Sequence, residues 1–189
     1  MRFLLTEDCW VLDALNAAEW HFICELPDIA SGEGLADGIE ERLYPSPLAE
    51  DELVDENSFD QLEDWNDYVK PDLEQGFKNS REVVKDDLAL VTKIEIEEPA
   101  EDEEDVAPIY FDGDLRRLVV SKDHTDHWYS TLNQARLLLN EDHDLAEDQE
   151  RLMMMMGMES DLPPEKALVM AQYEMYSAIQ SILVENVMN

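Results

Sequence analysis

Short apolar runs bounded by polar turns open this 189-residue chain, and longer stretches with an apolar residue about every 3.6 positions follow. Arg2–Leu5 and Trp10–Asp13 flank Thr6-Glu7-Asp8-Cys9, the pattern of an opening β-hairpin. Asn16 stands three residues before Glu19, a capping-box spacing in which each side chain bonds the other residue's backbone N–H. The spacing predicts a helix that carries Trp20, Ile23 and Cys24 inward. Pro27 lacks an N–H and does not suit a helix interior, so that helix is expected to kink or end near Leu26. After Ser31-Gly32-Glu33-Gly34 a second short helix is predicted through Leu35, Ile39 and Leu43. It stops at Tyr44-Pro45-Ser46-Pro47, because a residue before proline is pushed out of the α region.

An acidic connection precedes the next periodic stretch, in which Phe59, Leu62, Val69, Leu73, Phe77, Val84 and Leu88 share a helical stripe beside Trp65. Pro71 interrupts it. Either one long helix kinks there or, as preferred here, a new helix starts with Pro71 at its first position. Thr92–Glu97 alternates polar and apolar, as an edge strand does, and Ile109-Tyr110-Phe111 and Leu115–Val120 should form a hairpin across Asp112-Gly113. Further helices are predicted from Asp123 or Thr125 to about Asn140, and from Leu145 to Met156 before Gly157. A last one, after Pro163-Pro164, carries Leu168, Ala171, Met175, Ala178, Ile182 and Leu183 on one face. The fold expected is mainly α (α+β): one helical domain, 1–189, with a small antiparallel sheet built from two short hairpins. Within it, 98–107 is expected to be an acidic mobile loop.

Charge changes this picture most. Forty-seven Asp and Glu face thirteen Lys and Arg, a formal net charge of −34. Such a field repels nucleic acid and anionic membranes. It fits a general acidic surface suited to a saline setting, a docking surface for a basic partner, or mimicry of nucleic acid. Apolar residues at 44 % support a real core. Two cysteines without metal-ligand spacing, the lack of a signal-peptide run and the lack of a membrane-length apolar stretch point to a cytoplasmic location.

Sites of familiar chemistry are mostly ruled out. Asp123 and His127 are four apart on a predicted helix, with His143 elsewhere, but aspartates at a helix start cap free N–H groups without any metal. Asn140-Glu141-Asp142-His143-Asp144 has the acidic spacing of a calcium loop, yet Leu145 replaces the turn glycine and Arg151 the twelfth-position glutamate. His21 precedes Cys24 by three residues, and helix packing accounts for that pair without catalysis. Met153–Met156 and Met158 read as core filler or as a partner-contact patch.

The cations are the surviving constellation. Arg42 and Arg2 are the only two before Lys70, among nineteen acids. Arg136 follows Trp128, Leu132, Asn133 and Ala135 on one predicted helix, which should leave its guanidinium partly buried and paired to a carboxylate. Arg42-Leu43-Tyr44-Pro45, the long helix after it, Trp128 and Leu132-Asn133-Gln134-Ala135-Arg136-Leu137 together resemble an uncharacterised bacterial domain-of-unknown-function family best represented in actinobacteria. Gln134 stands where that family tends to have aspartate, and a second arginine of its pattern is missing after Asn140-Glu141. The resemblance implies a strand-then-helix opening, a closing helix near Tyr173–Leu183, and protein-turnover or regulatory work, since such genes often lie beside a small adaptor of the Clp protease.

These readings converge on an acidic protein-binding or regulatory module without catalysis, cofactor or metal, whose partner is another protein, a basic one being one option. The alternatives are a small-molecule anion binder using Arg42 and Arg136, and an enzyme of unrecognised class. Candidate binding residues are Arg42, Tyr44, Trp128, Asn133 and Arg136. The last helix's heptad-like spacing fits internal packing or a homodimer.

Overall fold

The computed structural model describes residues 1–48, 56–94, 114–145 and 163–188. The predicted acidic loop 98–107, the Asp112-Gly113 turn with its first strand, the helix after Leu145 and the methionine run lie outside the described residues.

Four antiparallel strands, β1 (Arg2–Leu5), β2 (Cys9–Leu15), β3 (Thr92–Ile94) and β4 (Leu115–Ser121), form one sheet in the order β1-β2-β4-β3. The opening hairpin pairs Leu5 with Trp10 and Arg2 with Asp13. Alternation sends Trp10 and Leu12 into the core, together with Leu118 and Val120 of β4. The β2–β4 register shifts between Leu12 and Leu15, and Ala14 sits there at φ 56°. That bulge resets the alternation, so Leu15 also ends fully buried. The three-residue β3 is an edge strand, as its alternating sequence predicts.

The helices are α1 (Ala17–Ile29), α2 (Glu56–Asp64), α3 (Lys70–Leu88), α4 (Thr125–His143) and α5 (Pro164–Asn186). Both halves of the Asn16–Glu19 capping box form, at 2.9 Å each. α1 departs from expectation in two ways. It runs through Pro27 to Ile29, since a proline this close to the end forfeits only one backbone bond, and Ala30 N–H still reaches Leu26 O. Phe22, Ile23 and Leu26 face the core while Cys24 is exposed.

Leu35 and Gly38 lead into a 3₁₀ turn, Ile39–Leu43, shorter than the predicted second helix. Between α2 and α3 the backbone does not break. One wide turn, Trp65–Val69, joins them, with Lys70 N–H reaching back five residues to Trp65 O. Widening displaces the carbonyl that the Pro71 ring would meet, so proline occupies the first turn of α3 without ending the helix before it.

α4 is the central helix and packs against α1, α3, α5 and the 3₁₀ turn. It begins at Thr125, within the predicted start, after a short 3₁₀ turn, Lys122–His124, whose cap is Ser121, its hydroxyl accepting from Asp123 N–H. Trp128, Leu132, Ala135 and Leu139 enter the core, and Trp128 meets Trp10 edge-on at 5.3 Å. α5 buries a face that shares Leu183 with the predicted one, and Met175 packs at its edge, but the rest is rotated from it. Tyr173, Tyr176, Ile179 and Leu183 point inward with Gln172 and Gln180, while Leu168, Ala171 and Ala178 are exposed. Two of these polar side chains satisfy each other: Gln172 Nε2 donates to the Tyr176 hydroxyl, which donates to Phe22 O at 2.6 Å. No helix among the described residues is long and apolar enough to cross a membrane.

Candidate binding site

Arg136 lies where α4 meets α5. Its Nη1 donates to Gln180 Oε1, and its guanidinium carbon stands 5.3 Å from the Tyr173 ring centroid. The expected carboxylate is absent among the described residues; a neutral amide and an aromatic face hold the charge instead. Its Nε is buried and has no hydrogen-bond partner. Asn133, one turn earlier, accepts from Gln180 Nε2 at 3.5 Å. Tyr129, Asn133, Arg136, Gln180 and Glu185 border a hollow of about 280 Å³ in this seam.

The other candidates lie elsewhere. Arg42 Nε donates to Glu141 Oε2 at 3.1 Å, and both side chains are half exposed, a surface ion pair between the 3₁₀ turn and the end of α4. Tyr44 packs on Phe77 at 5.7 Å and faces a second hollow, under α3, with Leu43 and Arg81. Trp128 is wholly buried, its indole donating to Asp87 Oδ2 at 2.8 Å. Arg42 and Arg136 border no common hollow among those described, and each meets its own partner, Glu141 and Gln180.

Elsewhere one buried carboxylate gathers two arginines. Asp13, 2 % exposed, accepts from Arg117 Nε at 2.7 Å and Arg2 Nη2 at 2.6 Å. The Arg117 hydrogen bond, the leading cause, holds its carboxyl below the usual range, helped by the charges of both arginines and opposed by burial. Arg81 on α3 donates from Nη1 to Gln134 Oε1 at 2.6 Å and to Ala30 O. Arg116 lies over the Trp20 ring at 5.2 Å.

The histidines are paired within the fold. His124 Nδ1 is 3.0 Å from Asp87 Oδ1, and His127 Nδ1 is 3.3 Å from Ser80 Oγ. Ser80 already donates to Gly76 O, so it accepts from His127 rather than being activated by it. His143 meets Asp142, and Asn140–His143 is the last turn of α4 rather than a calcium loop. Among the described residues no three His, Cys, Asp or Glu are placed to hold a metal ion. His21 contacts Glu25, not Cys24, whose thiol pKa is raised, partial desolvation outweighing the nearby Arg116.

Residues 11–187, which include every residue named in these sites except Arg2, match the family described as Domain of unknown function (DUF2017). The chain belongs to that family. No curated protein and no solved structure matches it. The DUF2017 match spans β2 through α5, so the Arg136 seam, the α3 hollow and the Asp87 cluster all fall within the family's own span. Sequence reasoning missed Gln180, Asp87 and Arg81. Asp87 follows Asp86 in a stretch that reads as a solvated face, and Gln180 reads as the polar side of α5. Arg81 carries one weak signal, its three-residue spacing from Lys78 on a single helix.

Proposed function

We propose that this chain is an acidic protein-binding module, without catalysis, that docks against a basic face of its partner. One observation carries the reading: each of the six described arginines already has a partner within the chain. Arg2 and Arg117 hold Asp13, Arg42 holds Glu141, Arg81 and Arg136 hold glutamines, and Arg116 covers Trp20. With forty-seven carboxylates and thirteen cations in the chain, the surface is left strongly negative, and a partner's Lys and Arg supply the missing counter-charge. Nucleic acids and anionic membranes are repelled by the same field. A cytoplasmic location, and the bacterial and actinobacterial setting of the family resemblance with its regulatory role, belong to this reading.

Affinity capture with the whole chain, followed by titration of the purified partner, tests it. The expected partner binds stoichiometrically, through a basic face, at least about tenfold more weakly at 200 mM than at 50 mM salt. Binding indifferent to salt, or no stoichiometric basic partner, overturns it. A homodimer would show the opposite trend, tightening with salt as self-repulsion is screened.

A further inference from the structure

Three hollows can be compared by the charges on their walls. The α4–α5 seam has Arg136 against Glu185, and the hollow beside the start of α4 has Lys122 against Asp123 and Asp126. The third, about 320 Å³, lies between the end of α1, the Leu43–Tyr44 segment and α3. Its walls carry two cations, Lys78 and Arg81, against one carboxylate, Glu74. In a chain of net charge −34, it is the one of the three with a positive balance.

The cations are also available. Arg81 is anchored through a single nitrogen, Nη1, to the neutral acceptors Gln134 Oε1 and Ala30 O, and no carboxylate among the described residues pairs with it. Among the described residues its Nε and Nη2 make no hydrogen bond, and the anchoring fixes the guanidinium without cancelling its charge. Lys78, one turn earlier, reaches Glu82 only at 4.0 Å, and its side chain is 63 % exposed. On the opposite wall Tyr44 packs against Phe77 with the rings tilted by 32°, with Lys70 Nζ 5.8 Å from the Tyr44 ring centroid and Leu43 beside it. Ser31 already donates its hydroxyl proton to Asp28 O, so it shapes the wall rather than supplying a donor.

We infer that this hollow binds a small oxyanion-bearing molecule. Its carboxylate or phosphate sits between Lys78 and Arg81, and its apolar portion lies against Leu43 and Tyr44. The Arg81 fork grips the oxyanion in a fixed orientation, and Lys78 adds a mobile point charge. The site is distinct from the proposed protein docking, since it rests on a hollow of positive balance beside α3 and not on the chain's carboxylates.

Calorimetric titration of the whole chain with inorganic phosphate and, separately, with benzoate tests this and distinguishes the two chemistries. Saturable one-site binding of either probe is expected. Lys78→Gln, at an exposed position that leaves the fold alone, should weaken it at least about fivefold, and Arg81→Gln should weaken it further. Lys85→Gln, which removes a pairing with Asp28 outside the hollow, should leave the affinity unchanged. Absence of saturable heat up to about 10 mM of both probes, or equal affinity in Lys78→Gln and the parent chain, overturns the inference.

Discussion

Arg136 of α4 donates to the side-chain oxygen of Gln180 of α5, a cation held by a neutral amide in a chain crowded with carboxylates. The arrangement fixes the helix seam while leaving the arginine's charge uncompensated by any described acid. Gln180→Leu removes the acceptor but keeps the volume, and should lower stability by about 1–3 kcal/mol in urea unfolding. Gln180→Glu restores an acceptor and should cost less than Gln180→Leu. Parent-like stability in Gln180→Leu would mean the bond has no structural role.

Asp13 should make the fold acid-sensitive. Its folded-state pKa is depressed, so the stability it contributes is present above the unfolded value of about 3.9 and is lost as pH falls through the lower folded value. Asp13→Asn should therefore be less stable than the parent near pH 7, by about 1–3 kcal/mol. The gap should narrow as both are taken below about pH 4. A gap that stays constant from pH 7 to pH 2 contradicts the assignment.

Asp87 serves two donors at once, the buried Trp128 indole and His124. Asp87→Ala strands the indole N–H inside the core, at an expected loss of about 1–3 kcal/mol. Tryptophan emission should shift as well, since Trp128 loses its only described acceptor; unchanged emission together with unchanged stability would refute this.

Burial raises the Tyr176 hydroxyl pKa far above the ordinary value near 10, with the Gln172 hydrogen bond opposing it. A raised folded pKa favours the neutral form in the fold, so stability declines once pH exceeds about 10, where the unfolded chain ionises and the native phenol does not. Ultraviolet titration of the native protein should show one of its six tyrosines still neutral after the others have ionised. Tyr176→Phe should abolish that lag and leave Phe22 O without its side-chain donor.

How much of this was legible depends on whether a residue's partner is near in sequence. The Asn16–Glu19 box, the opening hairpin and the β3 edge are local, and their spacing alone predicts them. Pro27 misled because proline's penalty depends on its distance from a helix end that sequence does not mark. The buried face of α5 misled because Gln172 and Gln180 look solvent-seeking until Tyr176 and Arg136 are brought to them by other helices. For the same reason Arg136 was expected to find an acid, and Arg42, which does find one, was expected to join it.

The Ala14 bulge has a consequence for the chain's tolerance of length changes. A side chain held at φ 56° is disfavoured for alanine and free for glycine, so Ala14→Gly should be tolerated, gaining up to about 1 kcal/mol. Deleting residue 14 is a different event. It removes the extra residue: regular alternation from Trp10 and Leu12 would still carry Leu15 to the core face, but Asn16 and the start of α1 would be drawn one residue closer to the sheet. One alanine thus keeps the first strand pair and the first helix in phase.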